Sequence, residues 1–163
     1  MDDGIEEAAE VLDDRIARRD TVRLAASIEI DADIRIEVER RFDAARDAIA
    51  SFHGISLGGR EGAGFIRYPL GGFYRPHRDR ASAPAWPDAA RRLIALVAFL
   101  NSSDEAEAGG FSGGTLRLYV DATPIDVQPQ AGLLVAFPAD TLHEVTPVRG
   151  GTRDAVVDWF YGP

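Results

Sequence analysis

Of the three histidines in the chain, two stand where a metal ion could use them. His77-Arg78-Asp79 reads as the end of a strand, where alternate side chains point to the same face. An extended H-x-D therefore offers one imidazole and one carboxylate to one ion. His143, within Asp140-Thr-Leu-His-Glu-Val, opens a later strand and supplies a third donor. Two histidines and a carboxylate on one face leave three coordination positions free, the pattern of non-haem iron(II) oxygenases. A bidentate 2-oxo acid and dioxygen would fill those positions. Taken alone, H-x-D is better explained as a strand-end histidine bonded to a neighbouring carboxylate, so the residues around it must decide.

Arg153 follows His143 just past Arg149-Gly150-Gly151-Thr152, which reads as a hairpin turn. An antiparallel return strand would carry Arg153 back to the same cavity. Strand parity puts Arg153 with Ala155, Val157 and Trp159, and puts Asp154 on the opposite face. Apolar company points the guanidinium inward, where it needs an anionic partner and suits a carboxylate bidentately. On the approach to the metal, Tyr68 and Tyr74 flank a glycine turn. Tyr68 is placed to donate its hydroxyl to a bound carboxylate and Tyr74 to line the pocket, although both also fit as ordinary core aromatics. Trp159 reads as a core or pocket wall, and His53 as a helix-end residue without a catalytic part.

The elements that must hold these residues divide the chain. Apolar residues at Ile5, Ala8, Ala9, Leu12 and Ile16 have helical spacing. So do Ile34, Val38, Phe42, Ala45, Ile49 and Phe52, with Asp31 or Asp33 as a cap and Gly54 as the stop. Thr21 to Ile30 is ambiguous. From Ile55 onward, glycine and proline punctuate short β-branched and aromatic runs. They predict strands near 55–58, 63–69, 73–79, 91–101, 114–120, 124–128, 131–137, 142–148 and 152–161. Helices followed by strands indicate α+β, and this many strands closes as a jelly roll, the cupin-like double-stranded β-helix, with the helices packed on one sheet. One domain over residues 1–163 is expected, helical to about residue 54 and jelly roll beyond. The loop from Arg80 to Arg91, with Trp86, reads equally as a lid or as an exposed connection, and Ser102 to Gly113 is acidic and then glycine-rich.

Several stretches together resemble the prolyl 4-hydroxylase-like 2-oxoglutarate/iron(II) dioxygenases. Tyr68-Pro…Gly72-Phe-Tyr-x-x-His77-x-Asp79 looks like that family's approach strand and first two ligands. Leu96-Val-Ala-Phe-Leu-Asn101 resembles its central strand, and Gly113-Gly-Thr-Leu-Arg-Leu-Tyr119 a second shared element. Phe137-Pro…His143-Glu-Val-x-Pro-Val148 is similar to the strand with the distal histidine. Gly151-Thr-Arg153-x-Ala-Val-Val-x-Trp159-Phe is similar to the closing strand. The resemblance covers about residues 60–161. It implies Fe(II), 2-oxoglutarate and O2 as the working set, with ascorbate as reductant and Arg153 holding the cosubstrate. It also implies hydroxylation of a peptidyl or free amino-acid side chain, with succinate and CO2 released. Collagen-type members carry lysine at the position of Arg153, so arginine is more like the oxygen-sensing and bacterial relatives. The open alternative is a cupin-like protein that binds metal or a small ligand without oxygenation.

Composition narrows the setting. The chain has no cysteine, which excludes thiolate metal sites and disulfides and fits a cytoplasmic location. Its N-terminus opens with acidic residues where a secretion signal would be basic. Its net charge of −9 argues against nucleic-acid or membrane partners, leaving a protein, peptide or amino acid as the expected substrate. Arg67, Arg75, Arg78 and Arg80 form either a local basic patch or a charge-balanced surface.

Overall fold

The computed structural model describes residues 8–12, 15–19, 21–80, 87–104 and 108–163. Three strands come first: β1 (Ala8–Leu12), β2 (Arg15–Arg19) and β3 (Arg23–Ser27). Helix α1 (Ala32–His53) follows, then β4 (Gly64–Tyr68) and β5 (Phe73–His77). After a 3-10 turn at Pro87–Arg91 come β6 (Arg92–Phe99), β7 (Ser112–Gly113), β8 (Leu116–Val120) and β9 (Thr123–Val127). The last four are β10 (Leu134–Pro138), β11 (Leu142–Val145), β12 (Val148–Gly150) and β13 (Arg153–Tyr161).

Among the described residues, one antiparallel ribbon runs β10-β6-β13-β4-β3-β5-β11-β8-β9, with β2 and β1 continuing from β3. The short strands β7 and β12 pair separately. The ribbon curls into the two layers of a jelly roll. Ala95, Val97 and Phe99 of β6 and Ala155 of β13 share an apolar core with Leu116 and Leu118 of β8 in the facing layer. Alternation along the same strands serves a second core outside: Ile94, Leu96, Val156 and Phe160 receive Phe42 of the helix. Strands β6 and β13 are thus buried on both faces, which explains their dense apolar sequence. Fully burying a side chain such as Phe42 contributes about 1.5–3 kcal/mol.

Helix α1 begins and ends where its sequence dictates. The Asp31 side chain accepts the Asp33 N–H at 2.9 Å, satisfying one orphan donor of the first turn. Gly54 terminates it in the left-handed conformation, with φ of 64°.

Four expectations need correction. Among the described residues no helix forms before α1: residues 8–12 and 15–19 are strands, because β3 has a ladder edge that β2 completes from Ile16 to Arg19. The described residues before residue 54 therefore contain one helix, and the stretch from Thr21 to Ile30 holds β3. Residues 55–58 are not a strand; the Gly58 N–H donates to the Tyr161 carbonyl at 2.9 Å without a continuous ladder. The run 142–148 divides into β11 and β12, with Pro147, which has no N–H to donate, between them. Arg149 to Thr152 is a crossover rather than a hairpin: β12 pairs with β7, whereas β13 pairs with β4 and β6. Gly151 makes the crossover possible, at φ of 68° and with the Gly110 carbonyl 2.5 Å from where a Cβ would stand.

Trp86 lies outside the described residues. The basic stretch is distributed among separate partners. Arg67 pairs with Asp154, Arg75 and Arg78 donate to the carbonyls of Thr21 and Asp140, and Arg80 reaches Ala90. Among the described residues, no helix is long and apolar enough to cross a membrane.

Candidate metal centre

Antiparallel register brings the two histidines together. His77 on β5 lies directly opposite His143 on β11, and their rings sit 4.2 Å apart between centroids. Each Nδ1 is engaged by a backbone carbonyl two residues earlier, at 2.7 Å to Arg75 and 2.9 Å to Thr141. With Nδ1 as the protonated nitrogen, each Nε2 lone pair is left to face the cavity. Asp79, just beyond β5, closes the group. Its Oδ1 is 3.4 Å from His77 Nε2 and its Oδ2 3.6 Å from His143 Nε2. One donor atom from each residue lies within 4.8 Å of the others.

The electrostatics suit ligation. Burial pushes the His143 imidazole below its ordinary value, against the pull of the Asp79 charge, which favours the neutral form a metal requires. Burial pushes the Asp79 carboxyl up. When the imidazoles are protonated, the His77 hydrogen bond and the His143 charge, together with the Trp159 indole, outweigh it and keep the carboxyl below its ordinary value. Trp159 Nε1 donates to Asp79 Oδ2 at 2.8 Å. Trp159 is therefore more than a wall: it fixes the orientation of a candidate ligand. Tyr74 stacks on His77 with centroids 3.4 Å apart and planes 16° from parallel.

A cavity of about 390 Å³ joins this cluster to Arg153. Its walls include Ile66, Val97, Leu116, Val145 and Val157, and it is also lined by Tyr68, Tyr74 and Trp159. All seven residues singled out from the sequence thus meet in one cavity. Arg153 is 1% exposed, and its Nε has no hydrogen-bond partner. Its guanidinium lies over the rings of Tyr68 at 4.9 Å and Phe99 at 5.2 Å. Desolvation pulls its pKa down, the mark of a cation held away from water. Asp154 turns the other way, as strand parity requires, and binds Arg67.

The donor set fits a divalent first-row metal. The Arg153 Nε without a partner and the apolar walls fit the far carboxylate of a small dicarboxylate.

Sequence reasoning missed the residues that brace this site. Asn101 grips the backbone on both sides of Arg153, donating to the Thr152 carbonyl at 2.7 Å and accepting the Asp154 N–H at 2.9 Å. Gly114, at φ of 59°, leaves room for the arginine stem, since a Cβ there would lie 2.9 Å from Arg153 Cδ. Arg23 and Arg92 line the cavity as well. The Leu-Asn pair ending the central strand was the one local sign of Asn101; the others depend on contacts distant in sequence.

The model of one protein family, the 2OG-Fe(II) oxygenase superfamily, matches residues 63–161, most of the chain. The chain belongs to the 2OG-Fe(II) oxygenase superfamily. As a member of it, the chain is 34% identical over 97 residues to a PKHD-type hydroxylase of Nitrobacter winogradskyi. It is 35% identical over 99 residues to another from Parvibaculum lavamentivorans. Each match covers 58% of this chain and 41% of the relative, so the chain spans about two fifths of the length of these curated relatives. Among solved structures, a Pseudomonas putida prolyl-4-hydroxylase superposes with a TM-score of 0.71 at 30% identity, covering 88% of this chain and 74% of that one. A prolyl hydroxylase of Trichoplax adhaerens, solved with a hypoxia inducible factor peptide fragment, shares the fold at 22% identity and a TM-score of 0.65, covering 86% of this chain and 64% of that one. This member of the superfamily thus has its His-Asp-His group and its buried arginine in one jelly-roll cavity.

Proposed function

We propose that this protein is a 2-oxoglutarate- and Fe(II)-dependent dioxygenase that hydroxylates a peptidyl or free amino-acid side chain, with prolyl residues the first candidates. The observation that carries the reading is Arg153. It is a fully buried cation with no anionic partner among the described residues, at the cavity that the His77, Asp79 and His143 donors share. A buried charge without a counterion is costly, and the distal carboxylate of 2-oxoglutarate supplies one. PKHD-type and prolyl hydroxylase relatives support the hydroxylase class.

His77, Asp79 and His143 would hold the iron. Bound iron, with 2-oxoglutarate and O2, supplies the oxidation that releases succinate and CO2 and hydroxylates the substrate, with ascorbate as reductant. The chain's own contribution is placement. Arg153 anchors the far carboxylate through its planar fork, and the Tyr68 hydroxyl donates to the same ligand. Tyr74 keeps the His77 ring in its plane, and Trp159 keeps the Asp79 carboxylate aimed. Ile66, Val97, Leu116 and Val157 exclude water, which strengthens every charge interaction inside. Tyr74 and Trp159 line the side from which a substrate side chain approaches. The lack of cysteine supports a cytoplasmic setting, and the charge of −9 favours a protein, peptide or amino acid over nucleic acid or an anionic membrane as partner.

The test starts with apo protein given Fe(II), ascorbate and labelled 2-oxoglutarate without oxygen, and then exposed to it. A weak visible band before oxygen and labelled succinate after it are the expected results, together with a one-oxygen mass gain on a proline-containing peptide. His77→Ala should abolish the band and the succinate. No band and no succinate from the unaltered protein, across peptide and amino-acid substrates, would favour the ligand-binding alternative.

A further inference from the structure

His77 and His143 are fixed by the ladder they share, but Asp79 is not. It stands in a bend past the end of β5, where no strand pairing constrains it. Something else must aim its carboxylate at the two imidazoles. We infer that Arg92, locked by Glu61, is the positioning residue that does this, acting on Asp79 at two points.

The first point is direct. Arg92 Nη1 donates to the backbone carbonyl of Asp79 at 3.1 Å. The second runs through Trp159. The Arg92 guanidinium lies 3.6 Å from the centroid of the Trp159 ring, whose Nε1 donates to Asp79 Oδ2 at 2.8 Å. A cation on that face favours one ring plane, and the ring plane sets the direction of the indole N–H. Arg92 therefore restrains the main chain of Asp79 and, through the indole, its carboxylate.

Glu61 prevents Arg92 from turning away. Its carboxylate accepts from Nε, at 2.6 Å, and from Nη2, so one edge of the planar fork is fixed from outside the cavity. The Glu61 N–H also donates to the Trp159 carbonyl at 3.0 Å. One residue thus grips both the cation and the strand bearing the ring. Neither Glu61 nor Arg92 belongs to the His-Asp-His group, and the contacts that join them to it run through Asp79. Outer partners of this kind alter metal affinity by about 10- to 100-fold.

This inference rests on the proposed metal centre, and Mn(II) separates the two. Free Mn(II) is counted by electron paramagnetic resonance as it titrates the unaltered protein, Arg92→Met, Arg92→Lys and Glu61→Gln, without 2-oxoglutarate. In parallel, the Trp159 indole N–H is followed by NMR, identified as the signal that survives in Trp86→Phe. Arg92→Met should weaken Mn(II) by at least about tenfold, move the Trp159 indole signal and speed its hydrogen exchange. Arg92→Lys, which keeps a cation but loses the fork, should recover part of the affinity. Glu61→Gln should fall between the unaltered protein and Arg92→Met, and it carries the comparison if Arg92→Met does not fold. Unchanged Mn(II) affinity in Arg92→Met and Glu61→Gln overturns the inference and leaves the metal centre standing. So does a loss of affinity with the indole signal unmoved. If the unaltered protein does not bind Mn(II), the metal centre itself fails and this inference fails with it.

Discussion

Strand β13 carries two buried charges that face opposite layers and live in opposite circumstances. Asp158, fully buried on the helix side, has its partners assembled. Its Oδ2 accepts from Arg60, and its Oδ1 accepts the N–H groups of Gly62 at 2.9 Å and Trp159 at 2.7 Å. Arg60 in turn holds Asp43 with two further bonds, at 2.9 and 3.1 Å. Arg153, on the cavity side, has aromatic rings and a glycine beside it but, among the described residues, no carboxylate bound to it. Folding alone completes the first charge. On the proposed function the second waits for a ligand, and the cost of burying it would be offset on binding. A buried ion is thus assigned to structure or to function by whether the chain supplies its partner.

Four experiments break or sharpen that contrast. The largest effect belongs to His77→Ala, described above, which removes the reason for a ligand to sit beside Arg153. Next is Arg153→Met. It should weaken 2-oxoglutarate binding, measured calorimetrically with Mn(II) present, by about 2–5 kcal/mol. The same change should leave the midpoint of thermal unfolding of the ligand-free protein unchanged or raised, because it removes an uncompensated charge. Equal losses of binding and stability would erase the distinction. Asp158→Asn should behave the other way round. It removes one charge partner of the half-buried Arg60, which keeps Asp43 and Glu39, so urea unfolding should show a loss of about 1–3 kcal/mol, with 2-oxoglutarate affinity retained. The smallest effect is at the rim of the Arg60 cluster. The Arg60 hydrogen bond holds the Asp43 carboxyl below its ordinary value, against the opposing effect of burial. Its stabilisation is therefore present above the ordinary carboxylate range and lost as pH falls through the lowered value. Asp43 is partly exposed, so at pH 7 unaltered protein should exceed Asp43→Asn by only about 0.2–1 kcal/mol, a margin that closes in acid.

The inward aim of Arg153 was legible because it needs only strand parity, and β13 keeps its register from Ala155 to Phe160. The pairing of His77 with His143 was not, since register is set by which strands meet across the sandwich. The turn Arg149 to Thr152 misled for a related reason. Glycine permits a tight reversal and a crossover equally, and only the partners of β12 and β13 distinguish them. The N-terminal stretch has apolar residues at helical spacing yet pairs as strands, because a ladder beside β3 outweighs local propensity. The indole bond from Trp159 to Asp79 joins residues far apart in the chain, and neither type nor spacing announces it.

Strand β3 gives its Arg23–Leu24 end to β5 and its Ala26–Ser27 end to β4, and between them stands Ala25, 4% exposed. Ala25 is the crease of the folded ribbon, the place where one layer becomes the other. A larger side chain there would act as a wedge, prising the layers apart and widening the chamber between them. The spacing of the layers around Ile66, Tyr68 and Val145 thus depends in part on a methyl group of β3.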